Sequence, residues 1–324
     1  MSHPFLQKFP IEPSFPTLID NTQVNNFRSC RRKFLYYSIL KRTPTGTNPH
    51  LNAGSAYAKG LEVFRHSYYG DGKDKQDSLQ AGVLAAIKSY GSHEPGENAK
   101  PSEAAKTWDR VAASVISYTQ MWPPETDHIR PAIFDGKASA EFSFGIPLPI
   151  PHPDTGEPIL YGGVFDAMVR FGDSGFTFGH TYDDLPLYGL DDKTTYQMGA
   201  SWAEDWSLRG QFLGYYWAAR KLGFPLRGFV VRGTAIQKTQ IKHMECILLP
   251  GEWKIEEWYS DLLQTVNEMV SCYEHALYGK NWGDSCVAYG GCPYTRLCDS
   301  PSPEKWIQTH YEERTWSPID LEKL

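Results

Sequence analysis

Asp166, Asp191 and Lys193 are of the residue types, and at the spacing, from which a phosphodiester-cleaving site can be built. They fall between Gly162 and Thr195, where the chain reads Gly-Gly-Val-Phe-Asp-Ala-Met-Val-Arg and, after a Gly- and Asp-rich interval, Gly-Leu-Asp-Asp-Lys-Thr-Thr. Side chains at i and i+2 of a strand share a face, so Asp191 and Lys193 project together while Asp192 points away. If the two runs pair as neighbouring strands, Asp166 joins that cluster. Two hard carboxylates suit magnesium or manganese, and an adjacent ammonium suits an attacking water or a phosphoryl oxygen. An Asp-x-Lys triplet taken alone is equally an ordinary exposed ion pair at a strand end. The rest of the chain has to decide.

A chain of 324 residues, 41% hydrophobic and 14% aromatic, can bury a sizeable core. No apolar run is long enough to span a bilayer, and Met-Ser-His-Pro-Phe-Leu-Gln-Lys lacks a signal peptide's apolar centre, so a soluble cytoplasmic protein is the expectation. The net charge of −6 excludes a uniformly basic nucleic-acid binder but not a local basic groove. Arg28, Arg31, Arg32, Lys33, Lys41 and Arg42 occur with no acidic residue among them, a run that either tracks phosphates or is a solvated helix face.

The elements expected to position these residues begin after a Pro-rich arm over residues 1 to 19. A helix capped by Asn21 or Thr22 is expected to about Leu40, with Cys30 inside it and Val24, Phe27, Arg31, Phe34 and Leu35 at helical spacing. Helices over about 55–69, 79–90 and 102–121 make residues 52–122 a helical insertion. Alternation in 138–144, 159–170 and 187–195 predicts a mostly antiparallel meander, with the Pro-rich 146–158 as a turn and 172–184 as a longer one that includes a possible strand. A helix over 206–222 should end at a left-handed Gly223, followed by strands at 228–236 and 244–249. The longest helix is expected over 253–278, burying Leu262, Val266, Met269, Val270, Tyr273 and Leu277. One α/β domain over 20–324, with its sheet in 136–250 and a cysteine segment in 280–300, is the economical reading.

Cys286, Cys292 and Cys298 stand at intervals of six in a turn-forming stretch, so their sulfurs can converge. Cys30, in the basic run, is the best fourth ligand, since positive charge helps hold thiolates deprotonated. The spacing lacks the tight knuckles of structural zinc. An iron–sulfur cluster, zinc and unliganded buried thiols remain competing readings, the first preferred. Cys246 and Cys272 read as core residues.

Gly-x-x-Asp, a strand–turn–strand and Asp-x-Lys resemble the core of the PD-(D/E)XK nucleases, with Asp191 where others have Glu. With the cysteines at both ends, the chain is similar to RecB-like nucleases bearing an iron–sulfur staple, including CRISPR-associated exonucleases, and above all to phage-encoded members. Gly-Gly-Cys-Pro-Tyr at residues 290–294 is the most specific local match, and the likeness spans roughly residues 20 to 300. The resemblance implies a restriction-endonuclease-like α/β core, a central mixed sheet flanked by helices. It implies a 4Fe–4S cluster on Cys30, Cys286, Cys292 and Cys298, and Mg2+ or Mn2+ on Asp166, Asp191, the backbone carbonyl of Asp192 and Glu62. Glu141 matches an acidic residue on the preceding strand, and Gln211 and Tyr215 match a Gln-x-x-x-Tyr helix whose i, i+4 spacing puts both on one face. Each also has a bland reading: Glu141 as an exposed strand residue, Tyr215 as core.

One position departs: Ala58 stands where RecB-like members commonly have a metal-binding His, with Glu62 one turn on and His66 a further turn away, read as a surface residue. The expected function is a metal-dependent DNA nuclease, a single-strand exonuclease of recombination or end processing. Its partners would be DNA ends and recombination or replication proteins. The alternative, favoured by Ala58, is a weakened nuclease fold that binds DNA and keeps its cluster. A zinc-stabilised interaction protein would require the central motif to be coincidence.

Overall fold

The computed structural model describes residues 9, 11–46, 48–92, 95–96, 99–134, 137–171, 185–287 and 291–315. The chain begins with β1 (Leu18–Ile19), α1 (Asn21–Ser29), α2 (Arg31–Phe34) running into a π turn, β2 (Arg42–Pro44) and α3 (Pro49–Arg65), also ending in a π turn. Next come α4 (Lys75–Tyr90), α5 (Pro101–Ala104), α6 (Trp108–Met121), β3 (Ile129–Pro131), and β4 (Ile133–Phe134) paired with β5 (Lys137–Ala138). The strands β6 (Ala140–Pro151), β7 (Pro158–Phe171) and β8 (Leu187–Thr195) lead to α7 (Gly210–Lys221), β9 (Gly228–Ile236) and β10 (Ile241–Leu248). The last elements are α8 (Glu252–Glu274), α9 (Thr295–Cys298), α10 (Pro303–His310) and β11 (Tyr311–Glu313). They divide into two compact units, one of Met1–Gly46, Ser143–Gly163 and Trp253–Leu324, the other of Thr47–Phe142 and Val164–Glu252.

The protein is α/β, with a mixed central sheet flanked by helices. In the second unit β7 runs antiparallel to β8, β8 parallel to β9 and β9 antiparallel to β10, with β3 antiparallel on the other side of β7. A strand paired on both sides and covered on both faces reads as a continuous apolar run, and every residue of β9 is buried. One face of the sheet meets α3 and α6, through Tyr57 on Thr234 and Tyr118 on Arg232. The other meets α7, whose Phe212 ring lies 5.5 Å from Phe229. Gly189 is required where β8 passes β9, because a Cβ there would sit 2.0 Å from the Phe229 ring.

The first unit is held by α1 and α8. Arg28 donates to Thr265 Oγ1 at 3.0 and 3.2 Å, and Arg32 Nε to the Tyr278 carbonyl at 2.7 Å. Much of the basic run is thus spent on holding helices together rather than presented as an open phosphate track. The N-cap of α1 is Asp20, not Asn21 or Thr22; its carboxylate takes the Gln23 amide, and burial raises its pKa. Leu18–Ile19 is not part of a loose arm but pairs in parallel with Leu160–Tyr161.

Several other expectations need correction. The predicted helix to Leu40 breaks at Cys30, which is extended (φ −167°, ψ 118°) because the Ser29 carbonyl and Arg32 amide turn to Asn281 and Gly279. The helix over 102–121 breaks where Lys106 is drawn inward, its ammonium on the Thr195 carbonyl and its own carbonyl on Tyr90. Residues 146–151 are strand rather than turn. Pro147, Pro149 and Pro151 alternate outward while Ile146, Leu148 and Ile150 are buried, the placement open to proline where no ladder donor is needed. The helix predicted to Tyr278 stops at Glu274, leaving Leu277 55% exposed instead of buried. Gly223 does adopt the left-handed conformation (φ 83°) after α7. The possible strand at 172–184 lies outside the described residues. No helix among the described residues is long and apolar enough to cross a membrane.

Helices α3 and α4 touch through glycine: a Cβ on Gly82 would lie 2.7 Å from the Gly60 carbonyl oxygen, which cannot turn aside. Gly82→Ala would gain about 1 kcal/mol of helix propensity, but overpacking against backbone costs up to about 3 kcal/mol. It should therefore lower the urea midpoint with an unchanged m value.

Candidate functional site

Strand β8 carries the central residues because its pleat sends them to opposite faces. On the α7 face, Lys193 Nζ lies 2.6 Å from Asp191 Oδ2, and Gln211 Nε2 donates to Asp191 Oδ1 at 3.1 Å. The same amide nitrogen reaches the Tyr215 hydroxyl at 3.2 Å, while the Tyr215 ring packs on Phe165 at 4.8 Å, so this tyrosine is both core and polar partner. The β7–β8 register ends at Ala167↔Leu190. One residue further, the Asp192 amide donates to Asp166 Oδ2 at 2.7 Å, so a carboxylate takes an amide that the ladder has released.

Asp166, Asp191, Lys193, Gln211 and Tyr215 are therefore brought together. The Asp166 carboxyl is raised well above its ordinary value by burial and by the negative charge of Asp191. Asp191 is raised by burial, against which Lys193 works. Burial pushes the Lys193 amine down, but the charges of Asp191 and Asp166 outweigh it and raise it.

Asp192 faces the other way, where its Oδ2 accepts from Arg65 Nη2 at 2.6 Å. Glu62 is engaged by Lys59 Nζ at 2.7 and 2.9 Å. Glu141 has a positive φ of 53°, a strained conformation for a non-glycine residue and one that concentrates at functional sites. Its residue is exposed, yet surrounding protein and then the charge of Glu62 raise its carboxyl. Lys59, which engages Glu62, works against that rise. Among the described residues no three His, Cys, Asp or Glu side chains lie close enough to hold one metal ion. Glu62, on α3 and engaged by Lys59, is not brought together with Asp166 and Asp191. Ala58 and His66 are both half-buried, so His66 is not the surface residue expected.

In the first unit Cys30, Cys286, Cys292 and Cys298 line one cavity of about 400 Å³, with Lys33, Lys280 and Trp282 on its wall. Cys30 lines this cavity from its extended position between α1 and α2. Burial pushes Cys298 up to about 11 and also raises Cys292, overriding the nearby Arg32, Lys280 and Lys33 charges.

The network behind β8 was not legible from the sequence. Arg232, 1% exposed in the middle of β9, makes two bonds to Asp127 at 2.7 and 2.8 Å and one to Glu245 at 2.8 Å. Tyr118 accepts from both Arg65 and Arg232. A charge within an otherwise apolar strand is the available signal, though it does not name the partners.

Asp166 binds its proton more tightly folded than unfolded, so its contribution to stability is present below pH 3.8 and is lost as pH rises through the raised folded value. In chelator-treated protein, Asp166→Asn should raise the urea midpoint at pH 7, and that gain should shrink toward zero at acid pH. A gain independent of pH would contradict this account.

No protein-family model matches the chain, and no curated protein matches it. Among solved structures it is similar to a protein described as "Crystal structure of SSO0001", at 12% identity and a TM-score of 0.30, over 76% of this chain and 85% of that one. A likeness this slight carries no argument about fold or function.

Proposed function

We propose that the protein is a metal-dependent DNA nuclease of the PD-(D/E)XK type, acting on single-stranded ends and carrying a 4Fe–4S cluster. The observation that carries the reading is the charge around β8: among the described residues the carboxylates of Asp166, Asp191 and Asp192 are matched only by Lys193 and Arg65. The uncompensated charge lies with Asp166 and Asp191. Among the described residues Asp191 Oδ2 is met by Lys193 alone. Two hard oxygen donors short of positive charge fit a divalent cation.

Asp166, Asp191 and the Asp192 carbonyl would hold Mg2+ or Mn2+, while Glu62 on α3 stays with Lys59. Such an ion, when bound, lowers the pKa of a coordinated water and offsets charge on the scissile phosphate. Lys193 is kept protonated by its carboxylate neighbours and aimed by Asp191, so it can orient the attacking water or stabilise charge building on the phosphoryl oxygens. Gln211 fixes the other oxygen of Asp191, and Tyr215 fixes Gln211. The preference for single-stranded ends follows from the family resemblance.

The cysteine cavity fits a polynuclear group. Its volume of about 400 Å³ has room for such a group, with all four cysteines on its wall. Cys30, Cys286, Cys292 and Cys298 would ligate the cluster, tying α1 to the C-terminal segment.

Anaerobically purified protein should degrade end-labelled single-stranded DNA with manganese, and Lys193→Ala should slow cleavage by about 100-fold or more, as for loss of a transition-state donor. No cleavage from protein that retains its cluster would favour the DNA-binding module marked by Ala58. Cys30→Ser should independently lose iron and acid-labile sulfide. Full retention of both would remove Cys30 from the ligand set.

A further inference from the structure

The Arg65–Asp192 ion pair lies on the face of β8 opposite the site, and nothing in the proposed chemistry uses it. Both side chains are almost fully buried, at 5% and 1% exposure. Arg65 ends α3, the helix that also bears Glu62, and its Nη2 is shared between Asp192 Oδ2 at 2.6 Å and the Tyr118 hydroxyl at 2.9 Å. Arg232 stands beside Asp192 in the β8–β9 register but is taken by Asp127 and Glu245. Among the described residues Arg65 is therefore the cation bonded to Asp192, whose Oδ1 has no hydrogen-bond partner there.

Asp192 also supplies the amide that Asp166 accepts. One residue is thus gripped through its carboxylate from α3 and through its backbone from β7. Its neighbours on either side, Asp191 and Lys193, point to the opposite face. Any rotation of β8 about its axis that moved the Asp192 carboxylate would swing those two side chains and break the Asp166 bond together.

We propose that Arg65 is a positioning residue of this site: by holding the Asp192 carboxylate behind β8, it sets the roll of the strand and so the aim of Asp191 and Lys193. The proposal rests on the reading of those two residues as the cleavage residues. An unpaired buried charge is strongly destabilising, whereas removal of both partners is often tolerated. Arg65→Met is therefore paired with Arg65→Met/Asp192→Asn, and with Arg65→Lys, whose single ammonium keeps the charge.

Three readouts separate positioning from bulk stability: hydrogen exchange of peptides covering 187–195, single-turnover cleavage with manganese, and affinity for single-stranded DNA. The expected result for the double variant is faster exchange at 187–195 with 210–221 unchanged. Its cleavage should be slowed about 100-fold, the scale of a misplaced catalytic group, with DNA affinity retained. Arg65→Lys should recover part of the rate. If Arg65→Met fails to fold, the double variant carries the test alone. Unchanged exchange and cleavage in a folded double variant would overturn the proposal, as would a loss spread evenly over both peptides and DNA affinity. A wild-type protein that does not cleave would sink the nuclease reading only, and exchange at 187–195 would still decide whether Arg65 sets the strand.

Discussion

Two carboxylates held side by side in a buried strand environment are the constraint around which the second unit is arranged. Like charges at close range in a protein interior repel by about 4 kcal/mol even at the effective dielectric of a partly hydrated site. Asp166 and Asp191 nevertheless occupy the point where β7 and β8 part, and the surroundings answer the repulsion piece by piece. Lys193 supplies charge, Gln211 a donor, and the Asp192 amide a backbone bond to Asp166. The raised proton affinity of Asp166 is the residual expression of that conflict. Sites that tune ionisation in this way are where burial and like charge are expected to be set against each other.

The opposite face of β8 works by a different rule. There Arg65, Tyr118, Arg232, Asp127 and Glu245 form a buried polar network in which nearly every charge has a partner. Such networks rigidify a fold when satisfied. The same strand therefore carries a relaxed face and a frustrated one, and the proposed chemistry belongs to the frustrated face. That asymmetry is produced by alternation alone, one residue pointing each way.

The Asp-x-Lys face was readable from i and i+2 alternation on a strand, whereas the Gln211–Tyr215 pair was picked out by the family resemblance, its i, i+4 spacing placing both on one helical face. Gly223 was readable from the local sequence. What could not be read depends on partners far along the chain. Cys30 sits in a stretch with helical spacing on both sides, and only bonds to Gly279 and Asn281 break it. The prolines of β6 signal a turn until one sees that they share a face. Arg65 looks like any basic residue ending a helix, and nothing near it in sequence points 127 positions ahead to Asp192.

The first unit is assembled from three separated stretches of chain, and this sets an order of events during synthesis. Arg28 and Thr265 are 237 residues apart, which at ribosomal speeds of about 5–20 residues per second is a delay of roughly 10 to 50 s. Every residue of the second unit, which ends at Glu252, is made within that interval. The unit with the acidic site can therefore be complete while α1 still awaits α8. Throughout that time Cys30 is a thiol without the three others that share its cavity, open to whatever oxidant or carrier reaches the nascent chain first.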